Sequence, residues 1–271
     1  MSFINKSVDE LKAFAQEHKD AYINADPFPN GYFDNFFEAE KLKEVLAEFP
    51  DLTKNADLKF NDPNQIKLAS KGEYKFGEKT KEFMHYLNSQ PFLEFLSILT
   101  GIEDLIPDPY FDGGGCHQIQ PGGMLKIHAD FNKRPKTKLD RRLNVLVYLN
   151  EDWHEEYGGH FELWDKEMKG YRKKILPLFN RMALFSTTSN SYHGHPNPLT
   201  CPPDRTRKSL ALYYYTNGRP EEEKFEGDQE HNTLFRYRAE DKKSRLITSM
   251  KEAVRLVTPP IILKGISKLK N

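Results

Sequence analysis

The sequence predicts a mainly β domain, folded as a jelly roll, with flanking α-helices packed on one side. Three observations support this prediction: helical periodicity in the first third of the chain, short apolar or alternating runs from residue 113 onward, and frequent Gly, Pro and Asn between those runs. Many short strands separated by turn residues are typical of antiparallel sandwiches and jelly rolls. The 271 residues, 38% hydrophobic and 13% aromatic, suffice for one elaborated domain with a substantial core.

The N-terminal region, residues 1–112, is interpreted as a helical support for the same domain. Ser7 and Glu10 have the spacing of a capping box, so the first helix is expected to begin there. A second amphipathic helix is expected to end before Pro50, because proline disfavours helical backbone in the residue before it. Helices are predicted at residues 7–18, 38–49, 78–88 and 91–100.

The β core is predicted to occupy residues 113–219, and residues 220–271 are assigned to a C-terminal extension. In the core the hydrophobic period changes from 3.6 to 2, as expected for strands with one buried face. Strands are predicted near residues 116–120, 125–128, 143–149, 160–163, 174–176, 181–185 and 208–215.

Charge and cysteine content narrow the function classes. Forty Lys and Arg balance forty Asp and Glu, and nucleic-acid partners are not expected because such binders carry a basic surface. Two cysteines cannot form a disulfide framework, which favours a cytoplasmic location. We expect no secretory signal in residues 1–15, and every charge-free stretch is either too short or too polar to cross a bilayer.

The last thirty residues, 242–271, are basic. They contain eight Lys or Arg and one acid, Glu252, for a local net charge of +7. One interpretation is a docked terminal helix over residues 249–257 with a solvated charged face. The other is peripheral contact with the inner membrane surface, through apolar insertion and attraction to anionic lipid.

The sequence His128-Ala129-Asp130 is the first candidate for a metal site. Residues two apart on a strand point to one face, so an imidazole and a carboxylate can meet one ion. His193 is the candidate for the third ligand. Two His and one carboxylate leave open positions for a co-substrate and dioxygen, as in non-haem Fe(II) centres. His195 is the alternative third ligand, and we prefer His193 because Pro196 tends to end the strand.

A basic residue begins the last predicted strand of the core. Arg207, Ser209 and Tyr213 share one face of this strand, and a guanidinium followed by a small residue indicates a binding position for a carboxylate. Arg205 is the alternative, but it lies in the preceding turn, so Arg207 is preferred.

These residues resemble the Fe(II)- and 2-oxoglutarate-dependent dioxygenases, and among them the prolyl-hydroxylase-like group. Residues 147–153 are similar to that group's strand and turn ending in Tyr-Leu-Asn-x-x-Trp, and residues 157–163 to its Gly-Gly strand. Residues 180–185 resemble the hairpin before the distal histidine. The resemblance extends over roughly residues 27–240.

The resemblance implies a double-stranded β-helix (jelly roll), with three iron ligands and Fe(II), 2-oxoglutarate and O2 as cofactor and co-substrates. The ligands carried over are His128, Asp130 and His193. Arg207 would pair with the distal carboxylate of 2-oxoglutarate, with Tyr148 hydrogen-bonded to the same group.

Five further residues are candidates for the cavity. Gln120 would contact the co-substrate at a position where many relatives have tyrosine. Asn144 alternates with Tyr148 and so shares its inner face. The other possible cavity or substrate contacts are His160, Trp164 and His195.

The implied activity is hydroxylation of an unactivated C–H bond with release of succinate and CO2. Asp130 favours hydroxylation, since related halogenases have a small residue in its place. The group suggests a prolyl residue of a peptide as substrate, with a glycan or a small metabolite as alternatives. A cupin-like metal-binding jelly roll without 2-oxoglutarate chemistry, and a non-catalytic binding module, are hypotheses of a different class.

Overall fold

The computed structural model describes residues 3–224 and 229–257. Antiparallel strands form a nearly closed barrel with helices at the N-terminal side, which confirms the predicted fold class. The helices are α1 (Val8–Ile23), α2 (Ala39–Ala47), α3 (Leu52–Asn55), α4 (Glu78–Leu87), α5 (Gln90–Thr100) and α6 (Lys242–Val257). The strands are β1 (Asn30–Asp34), β2 (Leu58–Asp62), β3 (Gln65–Ala69), β4 (Ile106–Pro107), β5 (Gly115–Ile119), β6 (Met124–Ala129), β7 (Asp140–Tyr148), β8 (Phe161–Trp164), β9 (Tyr171–Ile175), β10 (Arg181–Ser186), β11 (His193–His195), β12 (Arg207–Thr216) and β13 (Leu234–Phe235).

The first helix begins where the capping box predicts. The backbone N–H of Glu10 donates to Ser7 Oγ at 3.3 Å, and the N–H of Ser7 donates to Glu10 Oε2 at 2.7 Å. The helix extends beyond the predicted end at residue 18, because Tyr22 is buried and its hydroxyl bonds Ser186 Oγ at 3.0 Å on β10. Packing against the barrel therefore lengthens this helix beyond its local sequence signal.

The strand order is β1-β10-β7-β12-β5-β3-β6-β11-β8-β9, with β2, β4 and β13 attached to β3, β12 and β6. Alternation along β7 separates the two faces of the barrel wall as predicted. Val145 and Val147 lie in the hydrophobic core that the helices cover, whereas Asn144 and Leu146 line the interior cavity. The helices therefore cover the outer face of this strand and leave its inner face for the site.

The hairpin of β2 and β3 is an element that the sequence analysis missed. Strand β3 pairs with β5 through Leu68 opposite Gln118, and with β6 through Gln65 opposite Leu125. The hairpin thus joins two edges of the barrel. Its five-residue strands are polar and give too short an alternation to stand out in the sequence.

The C-terminal helix α6 begins at Lys242, seven residues before the helix predicted over 249–257. The rest of the basic tail, residues 258–271, lies outside the described residues. Within residues 3–224 and 229–257, no helix combines the length and apolar character needed to cross a bilayer. Cys116 and Cys201 are buried free thiols.

Candidate metal centre and its cavity

The three predicted metal ligands lie together inside the barrel. His128 is on β6, Asp130 directly follows that strand, and β11 pairs beside it with His193 opposite His128. One ligand atom from each residue lies within 4.8 Å of the other two. The structure therefore places the three side chains around one point, as the spacing predicts; their role as iron ligands stays a prediction.

Both imidazoles are oriented by their own strands. His128 Nδ1 lies 2.8 Å from the carbonyl oxygen of Lys126, and His193 Nδ1 lies 2.8 Å from that of Ser191. A carbonyl can only accept, so each Nδ1 carries the proton and each Nε2 presents a lone pair. The two Nε2 atoms are 3.7 Å and 3.4 Å from the Asp130 carboxylate oxygens.

Asp130 is held by two polar neighbours. Asn144 Nδ2 donates to Asp130 Oδ2 at 2.7 Å, and the Arg141 guanidinium reaches the same oxygen at 3.1 Å. Arg141 Nε in turn donates to Asn144 Oδ1 at 2.9 Å. Burial alone raises the pKa of the Asp130 carboxyl, but Arg141, His193 and His128 together lower it well below its ordinary value. The result is an ionised carboxylate whose Oδ1 lies near His128 and whose Oδ2 lies near His193.

The His193 ring is packed among aromatic side chains. Its centroid is 4.4 Å from that of Phe185 and 5.6 Å from that of Phe161. Burial, reinforced by the neighbouring His128, lowers the pKa of His193 to about 3. The ring is thus neutral at physiological pH, which is the state that binds a metal. Two imidazoles and one carboxylate on one side of a cavity fit the donor set of a facial Fe(II) site.

Arg207 lies in the same cavity, which has a volume of about 600 Å³ including its opening. Its Nε donates to the carbonyl of Gly159 at 2.9 Å, and within the described ranges it has no carboxylate partner. Gly159 has a φ of +73°, and a Cβ there would lie 2.9 Å from Arg207 Cδ. The Gly-Gly turn therefore leaves room for the guanidinium. Arg205 lies elsewhere, where it donates to the carbonyls of Glu151 and Asp152.

Tyr148 is fully buried beside Arg207, as its predicted inward position requires. Arg207 Nη2 donates to the Tyr148 hydroxyl at 3.4 Å, and the guanidinium carbon lies 4.9 Å from the ring centroid. Burial raises the pKa of the Tyr148 hydroxyl, so it stays protonated and able to donate. Ser209, paired opposite Tyr148 on β12, also lines the cavity.

Three of the predicted cavity residues lie outside this cavity. Gln120 is exposed and lies just beyond the end of β5. Because His117 and Ile119 on this strand point into the cavity, the alternation of side chains directs Gln120 away from it. Trp164 packs on the outward face of the sheet, in a cluster with Ile127. Neither residue lines the cavity, and a contact of Gln120 or Trp164 with a bound molecule stays a prediction.

His160 was also expected to line the cavity. Its Nε2 lies 2.8 Å from Glu155 Oε1, and it borders a separate small cavity of about 250 Å³. The Gly pair before it turns the chain so that Phe161, the next residue, takes the inward position. His160 thus lies outside the main cavity, and a role for it in substrate contact stays a prediction.

His195 lines the main cavity but is not part of the triad. It pairs opposite Leu125, and an irregularity in the register between it and His193 separates the two rings. His195 is 4% exposed, and in the described parts of the chain neither ring nitrogen has a hydrogen-bond partner.

Sequence reasoning missed three polar residues of the cavity: Lys67, His117 and Arg141. Lys67 was missed with the β2–β3 hairpin. Arg141 was missed because strand β7 was predicted from residue 143, three residues late. The inward position of His117 follows from alternation along β5, a signal that was available.

Comparisons with known proteins agree with this geometry. Residues 114–215 match the family described as the 2OG-Fe(II) oxygenase superfamily. The curated proteins contain no significant match to the chain. The fold is similar to a Pseudomonas putida prolyl-4-hydroxylase, with a TM-score of 0.55, 18% identity, and coverage of 75% of this chain and 100% of that one.

Two further solved structures share the fold. One is a Trichoplax adhaerens prolyl hydroxylase in complex with a hypoxia inducible factor oxygen degradation domain peptide fragment (TM-score 0.55, 19% identity, 78% of this chain and 94% of that one). The other is a prolyl 4-hydroxylase from Phytophthora capsici (TM-score 0.51, 19% identity, 79% and 68%). Residues 114–215 thus resemble the 2OG-Fe(II) oxygenase superfamily, and this match supports Fe(II), 2-oxoglutarate and O2 as cofactor and co-substrates.

Proposed function

We propose that this protein is a hydroxylase that inserts oxygen into an unactivated C–H bond and converts 2-oxoglutarate to succinate and CO2. The observation that carries the proposal is that His128, Asp130 and His193 share one cavity with Arg207, whose guanidinium contacts the buried Tyr148 hydroxyl. A metal triad alone serves many reactions, whereas an unpaired buried guanidinium beside it is suited to a dicarboxylate co-substrate.

The triad is proposed to hold Fe(II). His128 and His193 supply neutral Nε2 atoms because their Nδ1–H groups are engaged with backbone carbonyls. Asp130 supplies the carboxylate oxygen that Asn144 and Arg141 leave open. When bound, Fe(II) with 2-oxoglutarate and O2 supplies the oxidant for the C–H bond. The protein fixes which side of the ion remains accessible.

Arg207 and Tyr148 are proposed to bind the distal carboxylate of 2-oxoglutarate. Arg207 is fixed by Gly159 through Nε, which leaves its remaining N–H groups for a ligand. Tyr148 is protonated and adjacent, so both can donate to one carboxylate. Leu146, Phe161 and Phe185 form apolar walls of the cavity that limit access of water to the reacting atoms.

The proposed substrate is a prolyl residue of a peptide. Support comes from the fold likeness to prolyl hydroxylases, one of them bound to a peptide fragment. Hydroxylation of a glycan or a small metabolite is the second candidate. A cupin-like role without 2-oxoglutarate is disfavoured because it gives Arg207 and Tyr148 no reason to converge beside the triad.

An anaerobic titration tests the function. Fe(II) and 2-oxoglutarate added without oxygen should give a weak charge-transfer band in the visible region, and admitting oxygen should release succinate. Asp130→Ala should abolish both signals. A wild-type protein with neither band nor succinate would contradict the proposal. The substrate is then sought by mass spectrometry of cell extracts, as a gain of one oxygen atom.

Peripheral membrane contact by residues 242–271 stays a prediction. It is tested by co-sedimentation with vesicles containing anionic lipid, in comparison with vesicles of neutral lipid and with a chain ending at residue 241. Equal sedimentation of the full and shortened chains would contradict it.

A further inference from the structure

We infer that Lys67 and His195 form a second oxyanion-binding position in the cavity, and that the molecule to be hydroxylated carries a carboxylate, phosphate or sulfate group. This inference rests on the proposed function, because it assigns Arg207 to 2-oxoglutarate.

The β2–β3 hairpin places Lys67 on the wall that carries Arg207. Arg207 pairs opposite Ile119 on β5, and the pairing of Leu68 with Gln118 places Lys67 beside Ile119 on the far side. Lys67 and Arg207 are therefore two strands apart in one row of the barrel wall, about 10 Å between their backbones at ~4.8 Å per strand. All three side chains line the cavity.

Lys67 has no anionic partner in the described part of the chain. Its Nζ lies 5.0 Å from the centroid of the Phe60 ring, which is a contact without a counter-charge. Burial, together with the positive charges of Arg141 and Arg207 and against the attraction of Asp130, lowers the pKa of Lys67 to about 8. An oxyanion that binds beside this buried ammonium would stabilise its charged form.

The other cations of the cavity have assigned partners. Arg141 is paired with Asp130 at 3.1 Å, and its guanidinium stacks 3.5 Å from the centroid of the Tyr213 ring. Arg207 is matched to the distal carboxylate in the proposed function. Lys67 is the cation left over among the residues that line the cavity, so a further negative charge is expected from a second ligand.

His195 supplies a second donor at the same place. Both ring nitrogens are buried and without partners within the described ranges, which is costly for a polar side chain unless a ligand satisfies it. The charges that act on the ring include those of Arg207 and Lys67. Because all three side chains line one cavity, the unsatisfied ring can donate one N–H to an oxyanion that the two cations attract.

Anion binding to the loaded protein tests the inference. The anaerobic Fe(II) protein, saturated with 2-oxoglutarate, is titrated calorimetrically with sulfate and, separately, with acetate. We expect Lys67→Gln to weaken binding of the preferred anion at least tenfold and Lys67→Arg to retain it within about threefold. His195→Asn should weaken it severalfold. The exposed Lys59→Gln, on the same hairpin, is the matched control.

The two anions distinguish the ligand class: stronger binding of acetate assigns a carboxylate, and stronger binding of sulfate assigns a phosphate or sulfate ester. Unchanged anion affinity in Lys67→Gln would overturn the inference. It would also be overturned if Lys67→Gln weakened 2-oxoglutarate as strongly as Arg207→Gln, because Lys67 would then serve the co-substrate.

A second measurement needs no variant. Lysines of the wild-type loaded protein are acylated with a neutral reagent at about pH 8 and located by mass spectrometry. The preferred anion should protect Lys67 and leave Lys59 unaffected; equal labelling of Lys67 with and without anion would contradict the inference.

If succinate is released but no anion binds, the inference fails and the proposed function stands. If anion binding depends on Lys67 but 2-oxoglutarate is not consumed, the proposed function fails.

Discussion

Asp130 illustrates how single residues determine the site, because its two oxygens have different surroundings. Oδ2 accepts a hydrogen bond from Asn144, forms an ion pair with Arg141 and lies 3.4 Å from His193 Nε2, whereas Oδ1 lies 3.7 Å from His128 Nε2. Asn144 and Arg141 hold the carboxylate in place and keep it ionised beside the two imidazoles. Asn144 therefore acts on the metal through another residue.

Removing the Asn144 amide should loosen the metal site without removing a ligand. We expect Asn144→Ala to weaken Fe(II) affinity about tenfold to a hundredfold, since outer hydrogen bonds to ligands have effects of this order. Competition with a chelator measures the affinity, and circular dichroism checks the fold. The exposed Asn55→Ala is the control, and equal affinities in the two variants would contradict the assignment.

Arg207 and Arg205 are separated in sequence by one residue but in space by the barrel wall. Arg207→Gln should weaken 2-oxoglutarate binding about tenfold to a hundredfold, because a charge-assisted hydrogen bond in a buried cavity is lost. Arg205→Gln should change it less than about twofold, since its guanidinium contacts backbone carbonyls of a surface turn. Calorimetry on the anaerobic Fe(II) protein compares them. A larger effect at Arg205 would show that the wrong guanidinium was chosen.

At the scale of elements, the approach of β11 to β6 depends on Gly194. A Cβ at this position would lie 2.7 Å from the carbonyl oxygen of Leu125 and 2.9 Å from that of Lys126. Both contacts are with backbone, which cannot rotate away. The separation between His193 and His128 is thus maintained by a residue without a side chain.

Gly194→Ala should therefore separate the two strands. We expect a loss of about 1–3 kcal/mol in the free energy of unfolding, as for other overpacked sites, together with weaker Fe(II) binding. Urea unfolding and a metal titration measure the two effects. Gly170→Ala is the matched control, because a Cβ there meets nothing within 4 Å. Strong metal binding by Gly194→Ala would show that the strands can adjust.

The sequence predicts some elements well and others poorly for physical reasons. The long strands β7 and β12 combine alternation with apolar runs, so their inward residues, including Tyr148 and Arg207, could be assigned before the structure was known. The hairpin strands β2 and β3 have five residues each and are stabilised by long-range pairing, which no local pattern reveals. Lys67 lies on β3, so its position in the cavity was not predicted either. Gln120 was misplaced because β5 ends one residue earlier than predicted.

For the whole molecule, the balanced charge of the sequence conceals an uneven distribution. The cavity contains Lys67, Arg141 and Arg207 against a single carboxylate, Asp130. Composition alone cannot show this, because it does not record which charges the fold brings together. The fold class followed from the periodicity and turn spacing of the sequence, while the cavity's electrostatics required the structure.

The buried histidines predict acid sensitivity of the metal-free protein. Burial lowers the pKa of His193 from 6.5 to about 3, and that of His195 well below 6.5. Between those values the unfolded chain binds more protons than the folded one, so the free energy of unfolding falls as the pH falls below 6.5. The slope is at most ~1.4 kcal/mol per pH unit for each histidine.

Urea unfolding at a series of pH values from about 7 to 4.5 measures this slope. His195→Leu should flatten it, because one buried group that resists protonation is gone, while the exposed His154→Gln should leave it unchanged. If the free energy of unfolding of His195→Leu depends on pH as steeply as that of the wild type, the acid sensitivity does not come from this ring.

Strand β13 covers one side of the proposed metal site with residues that follow the other strands in the sequence. Phe235 pairs opposite His128, with ring centroids 5.7 Å apart, and Lys126 is joined to Asp241 in a buried ion pair. During synthesis the other strands emerge before these residues do, so the side chains of the triad lie beside an unpaired strand edge until β13 is added.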